Sequence, residues 1–148
     1  MSVTVQSQVS LKPYNSFGID VSAGHFADAR SDDDVRELLA YARCTQHEKT
    51  VRGVGVGIAL MCLGTRERSA TVCMELLTDT NPVLRYAGAY ALALAYAATG
   101  DTATLSHLLR LAVSDGSDDV RRAATIGVAL VAASEPAIIP KLLASLAE

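Results

Sequence analysis

The stretch VSDGSDDVRRAATIGVAL, residues 113–130, decides how this chain is read. Three aspartates and the turn formers Gly116 and Ser117 run into an arginine pair, and a nearly uncharged segment of small residues follows. Almost the same phrase occurs earlier, as LLTDTNPVLRYAGAYALALAY at residues 76–96. Aligning on the arginines brings out a third copy, TVRGVGVGIALMCLG, from Thr50. Arg52, Arg85 and Arg121 are then 33 and 36 residues apart, a period that belongs to solenoids of stacked helix pairs. Asp79 stands six residues before Arg85, and Asp115 six before Arg121, so the register is held through the turn.

Each copy reads as two helices joined by a short loop. In the second, Asn81 is the expected N-cap, with Pro82 at the first helical position, where a missing N–H costs nothing. In the third, Ser117 is the expected cap, and Asp118 and Asp119 follow in the first turn, where acids suit the helix dipole. Gly100 is the expected C′ residue of the second apolar helix. Its partner, TATLSHLLRLAV, places Leu105, Leu108, Leu109 and Ala112 at i, i+3, i+4 and i+7, which predicts an amphipathic helix. One helix of each pair is thus sandwiched and the other faces water. The paired arginine and aspartate have two readings, a charged binding edge or a bridge that orders each turn. Their recurrence at a fixed place in the repeat favours the bridge.

Half of the 148 residues are apolar, yet there are only five Tyr, two Phe and no Trp. The core must be built from Ala, Leu, Val and Gly, which suits helices at close approach. Thirteen basic against sixteen acidic residues give a net charge of −3, with no basic block, and this argues against nucleic acid or anionic membrane as partners. The apolar runs at 53–63, 87–98 and 123–133 are too short to span a bilayer, and the first fifteen residues lack the apolar core of a secretory signal. A cytoplasmic protein is expected.

Little here points to chemistry. Cys44, Cys62 and Cys73 are odd in number, lack C-x-x-C spacing, and read as free thiols in a reducing compartment. His25, His47 and His107 are dispersed, and Cys44 with His47 offers two ligands at most, so no metal site is expected. No serine or cysteine stands in an evident nucleophile–base arrangement. Asp32, Asp33 and Asp34 read as dipole-matched surface charges at a helix start.

Residues 1–47 depart from the period and form an appendage. A turn is expected around Asn15 to Gly18, then an extended segment, then a helix over 32–43. Ser31 is that helix's expected N-cap, Asp34 stands at N3, and Val35, Leu38, Leu39 and Ala42 follow at helical spacing. A single strand in the appendage has no partner within the chain and would pair with a second copy, making a homodimer. The helix would dock on the first repeat as a cap. The remainder divides into copies at 50–82, 83–119 and 120–148. The last ends in LLASLAE, apolar and without a polar cap, which predicts self-association through a terminal repeat.

Two resemblances accompany these readings. DTNPVLRYAGAYALALAYAATGD with LLRLAVSDGSDDVRRAATIGVAL, within a span from about Glu48 to Pro136, resembles the proteasome/cyclosome repeats of the largest non-ATPase subunit of the 26S proteasome regulatory particle. That resemblance implies an α-helical scaffold without catalytic residues; with about three copies, the chain would make an arc and not a closed ring. From about Ser10 to Ala42, and above all in LKPYNSFGID, the chain resembles the amino terminus of UDP-N-acetylenolpyruvoylglucosamine reductase, where this segment opens an FAD-binding domain. The glycine-rich phosphate loop that must follow is missing. Gly53, Gly55 and Gly57 align with the small-residue helix of the other copies and read as close-packing positions.

Together these lead to a mainly α fold: a helix-pair, α-solenoid repeat arc with a short N-terminal strand-plus-helix appendage, joined near residues 43–48 as a chimera. The expected function is a non-enzymatic scaffold or protein-binding module without catalytic residues, cofactor or metal. The alternative is a flavin-binding fragment related to UDP-N-acetylmuramate dehydrogenase.

Overall fold

The computed structural model describes residues 3–135, together with 137, 138, 140, 141 and 144. The tail LLASLAE, apart from Ala144, lies outside the described residues. Among those described are six α-helices and one two-stranded antiparallel sheet near the N-terminus, and none of the helices is long and apolar enough to cross a membrane. The chain divides into two compact units, Met1–Thr50 and Val51–Glu148.

The first unit corrects the expectation of a lone strand. β1 (Val9–Ser10) pairs with β2 (Ser22–Ala23), Val9 lying opposite Ala23, and an isolated bridge joins Gln6 to Phe26. The chain finds its own partner because the Asn15 side chain closes the intervening loop. Its Nδ2 donates to the Leu11 and Ile19 carbonyls at 2.8 and 2.9 Å, and its Oδ1 accepts from the Ile19 N–H at 3.0 Å. The ring of Tyr14 packs against Phe26 with centroids 5.0 Å apart. α1 (Asp32–Cys44) then opens on a reciprocal capping box, the Ser31 hydroxyl accepting from the Asp34 N–H and the Asp34 carboxylate accepting from the Ser31 N–H. This satisfies two N–H groups that a helix start leaves without internal partners. Val35, Leu38, Leu39 and Ala42 form its buried stripe.

The second unit is a stack of helix pairs. α2 (Glu48–Met61), whose first turn spans the unit boundary, leads through a 3-10 turn at Arg66–Ser69 into α3 (Ala70–Leu77). α4 (Pro82–Ala95) and α5 (Thr102–Ser114) form the next pair, and α6 (Asp118–Val131) follows. α4 packs against both α3 and α6, and α5 against α6. The exposure pattern follows from this: α4 buries residues on almost every side, whereas α5 buries only Thr104, Leu105 and Leu108. Leu76, Leu84, Leu105 and Leu108 have no exposed surface, and each such side chain removed from water contributes on the order of 2–3 kcal/mol.

Small residues permit the close approach of these helices. A Cβ at Gly88 would lie 2.8 Å from the Leu77 nitrogen and 2.9 Å from the Leu76 carbonyl carbon, so α4 rests on the α3 backbone itself. A Cβ at Gly55 would lie 2.6 Å from Cβ of Ala87, which brings α2 against α4 in the same way. Gly53 and Gly57, expected to serve the same packing, meet nothing within 4 Å. They stand two residues from Gly55, about 200° around the helix, on the opposite face.

Candidate functional site

The repeat positions singled out by the sequence converge on the loops that lead into α4 and α6. In each loop an aspartate closes a tight turn: Asp79 Oδ1 accepts from the Asn81 N–H, and Asp115 Oδ1 from the Ser117 N–H, both at 2.8 Å. Aspartate favours such turns because its short side chain reaches the backbone two residues on. The arginine six residues later then reaches back to the same loop. Arg85 Nη1 donates to the Asp79 and Thr80 carbonyls, each at 3.0 Å, and Arg121 Nη1 donates to the Asp115 carbonyl at 2.7 Å.

A second contact ties neighbouring copies together. Arg85 Nε and Nη2 donate to Asp115 Oδ2 and Oδ1 at 2.9 and 3.1 Å, a two-pronged geometry that planar guanidinium and carboxylate groups favour. The side chains are 21% and 7% exposed, so the pair is shielded from bulk solvent. The Asp115 carboxyl is held below the usual carboxylate range, first by the Arg85 hydrogen bond and further by the Ser117 N–H, against the opposing effect of burial. Arg121 pairs with Asp118 on its own helix. Arg52 lies over the Tyr86 ring, 5.2 Å from its centroid, and 3.8 Å from Asp119, which also pairs with Arg122 at 3.4 Å.

The opposite ends of the same helices carry a backbone counterpart. The Gly64 N–H donates to the Leu94 carbonyl at 3.0 Å, and the Ala98 and Gly100 N–H groups donate to the Leu130 and Val131 carbonyls at 2.9 Å. Each loop after an apolar helix thus supplies donors to the last turn of the next apolar helix, whose carbonyls have no partner within their own helix.

Two expected caps act differently. Gly100 is not the C′ residue of α4, which ends at Ala95 with Tyr96 as its C-cap. It sits five residues beyond, at φ +65, a left-handed conformation that glycine adopts without strain, and so turns its N–H toward α6. Ser117 occupies the N-cap position of α6 but its hydroxyl makes no capping bond; the Asp115 turn holds the loop instead. Asn81 accepts from the Val83 N–H at 2.9 Å. Asp101, which the sequence reading passed over, caps α5 by accepting from the Thr104 N–H at 2.7 Å. An acid directly after Gly100 and before a helical pattern was the available signal.

These side chains are used on one another. Among the described residues no group of three or more His, Cys, Asp and Glu is placed to hold a metal ion, and no buried side-chain nitrogen or oxygen lacks a hydrogen-bond partner.

Comparison with known proteins points the same way. The family described as HEAT repeats matches residues 56–129. The chain is 42% identical over 128 residues to the 26S proteasome non-ATPase regulatory subunit 1 homolog B of Arabidopsis thaliana, covering 86% of this chain and 13% of that protein. It is 45% identical over 114 residues to the 26S proteasome non-ATPase regulatory subunit 1 of Dictyostelium discoideum, covering 77% and 12%. It is 43% identical over 102 residues to the 26S proteasome regulatory subunit rpn2 of Schizosaccharomyces pombe, covering 69% and 11%. The chain therefore spans about an eighth of the length of these relatives. A match of 128 residues cannot fit within 48–148, so it runs across residues 43–48 into the N-terminal third. The chimera reading and the flavin-binding alternative have no support in these similarities.

Proposed function

This chain belongs to the HEAT-repeat family, and on that premise we propose that it is a non-enzymatic repeat segment of a proteasome regulatory subunit, holding protein partners inside a large cytoplasmic assembly. The observation that carries the reading is the Arg85–Asp115 pair. The most distinctive polar residues of the repeat are spent on joining one helix pair to the next, as a scaffold requires and a catalytic site does not. Conservation of shape is what such a segment contributes: stacked pairs present an extended surface to other proteins. Exposed apolar side chains on α2 and at its end, Val56, Leu60, Met61 and Leu63, suit protein contact. Self-association of the isolated chain through an open repeat edge, including a homodimer, belongs to the same reading.

The test is replacement. The chain is exchanged for the matching segment of the fission yeast subunit rpn2, and assembly is followed by native electrophoresis of the purified particle. Incorporation with normal mobility supports the proposal. A stable, folded hybrid subunit that stays outside the particle overturns it.

A further inference from the structure

In a stack of helix pairs each copy touches the copies beside it. The Arg85–Asp115 pair and the backbone bonds from Gly64 to Leu94 and from Ala98 and Gly100 to α6 obey that rule. The contact of Arg52 departs from it. Its guanidinium, from the first copy, lies 5.2 Å from the centroid of the Tyr86 ring in the second and 3.8 Å from an Asp119 oxygen in the third. Arg52 therefore passes over α4 to reach α6. All three residues stand in the first two turns of their helices. Neighbouring helix axes lie about 8–10 Å apart in such packing, so in a flat row α2 and α6 would be separated by roughly twice that. The two side chains must also clear the Tyr86 ring between them, so the contact closes when the starts of α2 and α6 lean toward one another over the face that carries Tyr86. Asp119 is held in place from the side by Arg122, 3.4 Å away, and by its position in the first turn of α6, where the helix dipole favours a carboxylate.

We propose that Arg52, Tyr86 and Asp119 form a clasp that holds the bend of the α2–α4–α6 stack, and that salt releases the clasp while the stack stays intact. The Arg52 and Asp119 side chains are 38% and 49% exposed, so dissolved ions screen their attraction. A cation over a partly exposed aromatic face is a modest attraction as well. The bonds between adjacent copies are of another kind. Gly55 and Gly88 seat α4 tightly on α2 and α3, the Arg85–Asp115 pair is shielded from solvent, and the loop amides bond to backbone carbonyls. Ionic strength therefore acts on the bend and not on the stacking. For a scaffold, whose contribution is its shape, this adjusts the curve offered to partners without unfolding any copy. The clasp lies within the stack itself, so its failure would leave the scaffold reading standing.

The experiment places nitroxide labels at Gly57→Cys on α2 and Thr125→Cys on α6, both exposed positions. The background carries Cys44→Ser, because Cys44 is exposed whereas Cys62 and Cys73 are buried. Pulsed electron–electron double resonance, with labelled chain diluted in unlabelled chain so that distances within one chain are read, compares about 0.05 M with about 1 M salt, where the screening length falls to roughly 3 Å. The expected result is a shift to longer distance on adding salt, with the far-ultraviolet circular dichroism spectrum unchanged. Asp119→Asn and Arg52→Gln should show the longer distance already at low salt and lose the salt response, whereas Arg122→Gln keeps both the short distance and the response. The clasp is overturned if the folded, labelled chain without these substitutions gives one distance at both salts, or if Asp119→Asn matches it throughout. It is overturned equally if the distance lengthens only together with a loss of helix.

Discussion

The Asp115 carboxylate accepts two hydrogen bonds from Arg85 and one from the Ser117 N–H, while its backbone carbonyl accepts from Arg121. Removing its charge leaves Arg85, only 21% exposed, without its anion, a situation more costly than the net worth of the pair. Asp115→Asn should therefore lower unfolding stability by roughly 2–3 kcal/mol in urea titrations. Arg85→Met should cost a similar amount, and the double variant should cost clearly less than the sum. The pH dependence follows from the depressed Asp115 carboxyl. Its contribution is complete above the carboxyl's unfolded value and is lost as pH falls through the lower folded value. The stability difference between the parent and Asp115→Asn should accordingly shrink below about pH 4. Gly88 makes a steric counterpart: Gly88→Ala forces a methyl into the α3 backbone and should cost about 1–3 kcal/mol, with α3 and α4 displaced.

At the scale of the element, capping chemistry separates helices that look alike in sequence. Asp101 makes a real cap to α5 and Ser117 makes none to α6. Thermal unfolding should show Asp101→Ala costing about 1 kcal/mol and Ser117→Ala no more than about 0.5 kcal/mol. The helix-pair class was legible because apolar period, arginine spacing and turn formers all repeat together, so that each copy corroborates the next. Loops were less legible, since their outcome depends on contacts between distant segments. Gly100 serves α6, not α4, because the loop it belongs to runs past the end of a helix about thirty residues on. The β1–β2 pairing escaped notice for a local reason: strands of two residues have no period, and it is one side chain, Asn15, that turns the chain back. The arginines and aspartates could be picked out as repeat positions, but nothing in a sequence says which copy's aspartate an arginine will meet.

At the scale of the molecule, the position of α4 between α3 and α6 gives it the fewest routes to water. Hydrogen exchange should be slowest at the amides from Ala87 to Ala93, and faster in α5, which buries one face only. A profile with its slowest amides in α5 would contradict the stacking described for Val51–Glu148. The contacts between copies also have a direction. Arg85 reaches forward thirty residues to Asp115, and the Gly64 and Gly100 N–H groups reach forward to the ends of the following apolar helices. For a chain emerging from the ribosome, each donor is therefore made before its acceptor. Until the next pair has been translated, the arginine of a freshly synthesised pair has only the loop carbonyls before it as partners, and the Asp115 carboxylate and the carbonyls that the loop amides will meet do not yet exist. Pausing between copies would prolong the time in which a half-finished stack is exposed.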